Sequence, residues 1–103
     1  MDKRKAPESV LRYIDYLKKL HPELKKAYLF GSFAKGNSKT DSDMDVALIF
    51  QDIGDTFDIQ VRLMKLRRQF DTRIEPHVFS ETDFGISHPL AGEILKTGFE
   101  IIL

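Results

Sequence analysis

The stretch Gly31–Asp45, GSFAKGNSKTDSDMD, decides the expected fold of this 103-residue chain. It begins with a Gly-Ser pair after the apolar residues 28–30 and ends with two aspartates that open a second apolar run. Side chains alternate between the two faces of a strand, so Asp43 and Asp45 share one face of a strand predicted from Asp43 to Phe50. Two carboxylates on one face repel each other, and a bound cation removes that cost. The pair therefore predicts a divalent-metal site.

The Gly-Ser pair predicts a phosphate site beside these acids. Residues 28–30 are typical of the end of a short buried strand, and Gly31 permits a tight turn and close backbone approach. Ser32 is expected to begin a helical turn whose free N–H groups suit a phosphate. A phosphate cradle next to an acidic metal site indicates chemistry on a nucleotide.

A third acid lies on a strand predicted from Arg73 to Phe79, where alternation puts Arg73, Glu75 and His77 on one face. A glutamate among apolar neighbours needs a partner, because an unpaired buried charge is costly. Two alternatives stay open for Glu75. It forms an ion pair with Arg73, or it faces the strand of the two aspartates and completes a three-carboxylate site.

Two histidines and a proline near this strand carry weaker signals. A structural role is expected for His77 rather than a substrate contact, and a helix-capping role for His88, which precedes Pro89. Pro76 has no N–H to donate to a ladder, so its strand is predicted to lie at a sheet edge or to carry a bulge.

The remaining apolar pattern predicts three helices and a final strand. The first helix follows Pro7, the second runs from about Phe57 to Phe70, and the third runs from Pro89 to about Thr97 with Gly98 as its stop. The second helix has two apolar rows that are expected to pack broadly on a sheet, Phe57/Val61/Met64 and Ile59/Leu63/Leu66/Phe70. Its basic residues are expected to be solvated, namely Arg62, Lys65, Arg67 and Arg68. Phe99, Ile101 and Ile102 indicate a short apolar strand or tail.

Composition bounds the class of protein. The length predicts one domain over residues 1–103. Sixteen basic and sixteen acidic residues cancel, so no overall charge favours nucleic acid or a membrane as main partner. The chain has no cysteine, which suits a reducing cytoplasm, and no run approaches a membrane span. We expect a soluble cytoplasmic protein.

The stretch Gly31–Asp45 resembles the GSx10DxD motif of the nucleotidyltransferase superfamily with the polymerase-beta-like fold. The matching residues are Gly31-Ser32, followed after ten intervening residues by Asp43-Met44-Asp45. A short chain with the motif in its first half is similar to the minimal nucleotidyltransferases, or MNT proteins, which are commonly paired with HEPN-domain partners. The resemblance implies an α+β fold in which a small mixed β-sheet is flanked by helices.

The resemblance also implies a set of site residues. Asp43, Asp45 and Glu75 would be the catalytic residues and the ligands of two Mg²⁺ ions, with ATP or another nucleoside triphosphate as substrate. The nucleotide-binding residues would be Gly31, Ser32, Lys35 and Ser42. Family members often have arginine where this chain has Lys35, and lysine keeps the charge but loses the bidentate fork, so its role stays open.

Three hypotheses about function remain. The first is transfer of AMP, or another nucleoside monophosphate, to a hydroxyl of a partner protein, with the chain as antitoxin to a HEPN toxin. The second is an antitoxin that neutralises the toxin by contact alone. The third is a nucleotidyltransferase for a small molecule, of the antibiotic-modifying type. Retention of three carboxylates with the Gly-Ser pair favours the first hypothesis.

Overall fold

The computed structural model describes residues 6–31, 43–85 and 87–103, which form four strands and three α-helices. In chain order these are α1 (Glu8–Leu20), β1 (Leu24–Phe30), β2 (Met44–Phe50), α2 (Thr56–Leu66), β3 (Ile74–Ser80), α3 (Pro89–Thr97) and β4 (Phe99–Ile101). A 3₁₀ turn, Arg67–Gln69, extends α2, so the end of the predicted second helix tightens instead of continuing as α-helix.

The helix termini follow local sequence chemistry. Asp55 accepts a hydrogen bond from the backbone N–H of Phe57 at 2.9 Å and caps α2. His88 caps α3 by accepting from the N–H of Ala91 at 3.3 Å, which confirms the capping role predicted for it. Pro89 fits the first helical turn because it has no N–H to leave unpaired there.

The four strands form one mixed sheet in the order β3-β2-β1-β4. β1 is antiparallel to both β2 and β4, whereas β2 and β3 are parallel and are joined by α2 as the crossover. The α+β fold class predicted from the sequence, a small mixed sheet flanked by helices, is confirmed.

Each face of the sheet carries a separate apolar core. Met44, Val46 and Leu48 project from β2 into the core shared with α1 and α2, where the buried Tyr13 hydroxyl donates to the Leu63 carbonyl at 2.8 Å. The opposite core is smaller and consists of Tyr28, Phe30, Ala47, Ile49, Phe79 and Ile94, with Phe84 packed against it. The polar end of this second face holds the residues described below.

β3 lies at a sheet edge, as Pro76 predicts. Its outer side is covered by side chains of α2 and the following turn. The Gln60 amide donates to the Pro76 carbonyl at 2.6 Å and accepts from the Val78 N–H at 2.9 Å, and Arg67 donates to the Ile74 carbonyl at 2.8 Å.

Two expectations for the predicted second helix are wrong. Phe57 is 71% exposed, so the row of Phe57, Val61 and Met64 does not pack broadly. The other predicted row does pack on the sheet, because Leu63 is buried in the larger core and Ile59, Leu66 and Phe70 pack against it. Arg67 is not a solvated charge, because its guanidinium bonds to the edge of β3. Within the residues described, no helix has both the length and the apolar character needed to cross a membrane.

Candidate active site

The predicted acids lie at one end of the sheet. Asp43 is exposed and immediately precedes β2, Asp45 is the second residue of β2, and Glu75 is the second residue of β3. Asp45 and Glu75 are direct partners in the parallel ladder, and Phe30, at the end of β1, is the partner of Asp45 on its other side. The strand order thus brings the acids of two separate sequence segments to neighbouring positions on one face.

Asp45 has a different neighbour at each carboxylate oxygen. His77 Nε2 lies 3.1 Å from Oδ1. A β-carbon at Gly31 would collide with Oδ2 and lie 3.3 Å from Cγ. Gly31 also has φ +77°, in the left-handed region that favours glycine. Gly31 therefore allows a close approach between the turn after β1 and the side chain of Asp45, and its approach to a phosphate stays a prediction.

Glu75 forms an ion pair with Arg67, whose Nη1 lies 3.1 Å from Oε1. Strand alternation indicated Arg73 as a possible partner in this ion pair, and that partner is wrong. Arg73 donates through Nε and Nη2 to the carboxylate of Asp71, at 3.0 and 2.7 Å. Arg67 reaches Glu75 because the 3₁₀ turn after α2 places it beside the edge strand, where it also binds the Ile74 carbonyl.

The acids suit a hard divalent cation in chemistry and in placement. Carboxylate oxygens are the ligands that Mg²⁺ prefers, and two of the three acids are ladder partners. The Asp45 carboxylate fills the space that a β-carbon at Gly31 would take, so this acid and the turn after β1 are in close contact. In residues 6–31, 43–85 and 87–103, no three acidic, histidine or cysteine side chains already converge as a metal cluster. One oxygen of Asp45 and one of Glu75 instead contact His77 and Arg67.

Three of the predicted nucleotide-binding residues, Ser32, Lys35 and Ser42, lie outside the described residues. Gly31, the fourth, lies at the end of β1 next to Asp45.

Sequence reasoning missed two residues that contact the acids. His77 was expected to be structural, although alternation already put it on the face of Glu75, and this shared face was the available signal. Arg67 was assigned to solvent because helical spacing alone does not show that its turn overhangs an edge strand. Both residues are only partly exposed, His77 at 35% and Arg67 at 22% of the side chain.

This geometry agrees with a comparison of the sequence with protein families. Residues 12–102 match the family described as Polymerase beta, Nucleotidyltransferase. The chain therefore belongs to the polymerase-beta family of nucleotidyltransferases, and the enzyme class predicted from the sequence is confirmed. No curated protein sequence matches the chain.

Solved structures share the fold at low sequence identity. A Sulfolobus solfataricus protein classed as a nucleotidyltransferase aligns with a TM-score of 0.66 at 20% identity, covering 90% of this chain and 76% of that one. A chain of a toxin–antitoxin complex with AMP-PNP aligns at 0.65 and 22% identity, covering 91% and 72%. A chain of a complex between a tri-AMPylated Shewanella oneidensis HEPN toxin and an MNT antitoxin aligns at 0.56 and 18%, covering 89% and 70%.

Proposed function

We propose that this chain transfers a nucleoside monophosphate, with AMP the expected group, from a nucleoside triphosphate to a hydroxyl of a partner protein. The observation that carries the proposal is the pairing of Asp45 with Glu75 across adjacent strands. The pair lies beside Gly31, where a β-carbon would collide with the Asp45 carboxylate. Similar folds occur in a toxin–antitoxin complex with AMP-PNP and in a complex with an AMPylated HEPN toxin. They support a HEPN-domain toxin as the partner.

Each residue of the site has a role in this proposal. Asp43, Asp45 and Glu75 would hold Mg²⁺, with two ions expected. Bound Mg²⁺ would lower the pKa of the acceptor hydroxyl and offset charge on the leaving pyrophosphate. Gly31 lets the backbone approach the nucleotide, and Ser32, Lys35 and Ser42 would contact its phosphates. The acceptor hydroxyl would release its proton to solvent, and its oxygen would attack the α-phosphorus in line as the bond to the leaving pyrophosphate breaks.

The proposal includes a cytoplasmic location, which the absence of cysteine from the sequence supports.

Intact-mass measurement tests the transfer. The protein is incubated with its cognate HEPN-domain toxin, Mg²⁺ and each nucleoside triphosphate in turn. We expect the partner to gain one or more nucleoside monophosphate masses only when Mg²⁺ is present. Asp45→Asn should abolish the gain, because a neutral amide cannot replace a carboxylate as a ligand of a hard cation. Asp58→Asn is the matched control, since Asp58 is an exposed acid on α2.

A contact-only antitoxin is the second candidate, and one observation favours it. Asp45 and Glu75 already have protein partners in His77 and Arg67, as acids with a purely structural role would. A stable complex that neutralises the toxin, with no added mass from any nucleotide, would establish this candidate and exclude transfer.

A further inference from the structure

The two oxygens of the Asp45 carboxylate have unequal surroundings. Oδ1 lies 3.1 Å from Nε2 of His77, and Oδ2 is directed to the α-carbon of Gly31, where a β-carbon would collide with it. A carboxylate can only accept hydrogen bonds, so an ionised Asp45 requires the hydrogen of the imidazole to be on Nε2. The contact therefore holds one oxygen and leaves the other on the side of Gly31.

Packing fixes the ring that makes this contact. His77 meets the ring of Phe30 edge to face, with centroids 5.1 Å apart and an interplanar angle of 61°. Its ladder partner on β2 is Ala47, a small residue that leaves space for the imidazole on this face. Phe30 and Ala47 both belong to the smaller core, so the core sets the direction from which His77 approaches Asp45.

The exposure of the pair indicates orientation rather than stability as its main effect. The side chains of His77 and Asp45 are 35% and 29% exposed. Ion pairs that water still reaches contribute little to folding stability. A hydrogen bond that selects one rotamer of a ligand, by contrast, acts directly on how that ligand meets a cation.

We propose that His77 is a positioning residue for Asp45. It holds Oδ1 so that Oδ2, on the Gly31 side, is the oxygen offered to the divalent cation. The inference rests on the proposed function, because it assumes that Asp45 binds the cation that accompanies the nucleotide.

A matched pair of amide variants tests this role. The amide nitrogen in His77→Gln extends about as far from the backbone as Nε2, whereas that in His77→Asn is one bond shorter. His77→Phe keeps a ring against Phe30 and loses the hydrogen bond. Mn²⁺ affinity is measured by electron paramagnetic resonance of free Mn²⁺ in the presence of a non-hydrolysable ATP analogue. Melting temperatures are recorded in the absence of metal.

We expect His77→Phe and His77→Asn to bind Mn²⁺ about tenfold more weakly, the size typical for loss of a hydrogen bond to a metal ligand. His77→Gln should bind nearly as tightly as the wild type, and the melting temperature should change little in all three variants. If His77→Asn retains wild-type affinity, or if Gln and Asn lose affinity equally, the positioning role is overturned.

Asp45→Asn separates this inference from the function on which it rests. Loss of Mn²⁺ binding in Asp45→Asn, with no loss in His77→Asn or His77→Phe, overturns the positioning role alone. Equal affinity of Asp45→Asn and the wild type shows that the cation does not use Asp45, and then the proposed metal site fails together with the role of His77. An unfolded His77→Phe leaves the Gln and Asn pair to decide.

Discussion

Two separate requirements for glycine coincide at Gly31. Its backbone is left-handed, and its α-carbon lies against the carboxylate of Asp45. A left-handed conformation disfavours any residue with a β-carbon, and here that atom would also displace the acid. The residue therefore links the backbone turn after β1 to the orientation of the candidate metal ligand.

Gly31→Ala should lower the free energy of unfolding by about 1–3 kcal/mol, the usual cost of a strained backbone conformation. It should also weaken Mn²⁺ binding, because Asp45 must move. Urea denaturation and metal titration measure the two effects. Gly54→Ala is the matched control, since a β-carbon at Gly54 meets nothing within 4 Å and no positive φ applies there. Equal effects at both glycines would contradict the interpretation of Gly31.

Tyr13→Phe should lower the free energy of unfolding by about 1 kcal/mol, the net value of a typical hydrogen bond. The hydroxyl donates to the Leu63 carbonyl, and that carbonyl keeps a second bond from the N–H of Arg67, so it is not left unpaired. Urea denaturation at neutral pH measures the loss. A loss of several kcal/mol would indicate that the variant disturbs packing as well.

The stability difference between wild type and Tyr13→Phe should shrink in strong alkali. Burial raises the pKa of Tyr13 above its ordinary value. Above about pH 10 the unfolded chain releases the phenol proton that the folded chain retains, so the wild type loses stability as pH rises. Denaturation at about pH 8 and about pH 11 compares the variants on both sides of the phenol pKa. A constant difference would contradict the raised pKa.

Among the elements, α1 is connected to the start of β3 by Asp71, which lies shortly before that strand. The carboxylate accepts from the Ser9 hydroxyl at 3.1 Å and from the Arg73 guanidinium at 2.7 Å. Hydrogen bonds from Arg73 are the main cause that lowers the pKa of Asp71 to about 2. The hydrogen bond from Ser9 to Asp71 joins residues that are 62 positions apart in the sequence.

Asp71→Asn should lower the free energy of unfolding by about 1 kcal/mol at neutral pH, as for other partly exposed ion pairs. The folded-state pKa is lower than that of the unfolded chain, so this stabilisation is present above about pH 4 and disappears as pH falls towards 2. Denaturation of both proteins across this range measures it. Asp58→Asn is the control, and a difference that persisted at about pH 2 would contradict the assignment.

The elements also show how far the sequence could predict this structure. Alternation put Glu75 and His77 on one face of β3 but left open whether Glu75 faces Asp45, and the register of β2 and β3 makes the two acids ladder partners. Pro89 and Gly98 marked the ends of α3. The partners of the two acids could not be predicted. His77 meets Asp45 diagonally, so the contact depends on the register of two strands joined by a helix. Arg67 lies in the 3₁₀ turn that follows α2, and its contact with Glu75 depends on how this turn packs on the edge strand.

For the whole molecule, the two cores that enclose the sheet consist of apolar side chains. Chelator should therefore leave the melting temperature unchanged, whereas Mg²⁺ with a non-hydrolysable ATP analogue should raise it. The free energy of unfolding rises by about 2.7 kcal/mol when the ligand is present at one hundred times its Kd. Differential scanning calorimetry measures both effects. Asp45→Asn should fold normally and lose the ligand-dependent rise, and a rise equal to that of the wild type would contradict metal binding at Asp45.

The covered edge of β3 has a consequence for self-association. A bare edge strand offers unpaired N–H and carbonyl groups on which a second molecule can add a strand. Here Gln60 and Arg67 already occupy those groups, and Pro76 offers no N–H. Strand addition at this edge requires α2 to detach first. Aggregation through β3 should therefore begin at the temperature or denaturant concentration at which α2 detaches. This temperature or concentration should be lower than the one at which the whole sheet unfolds.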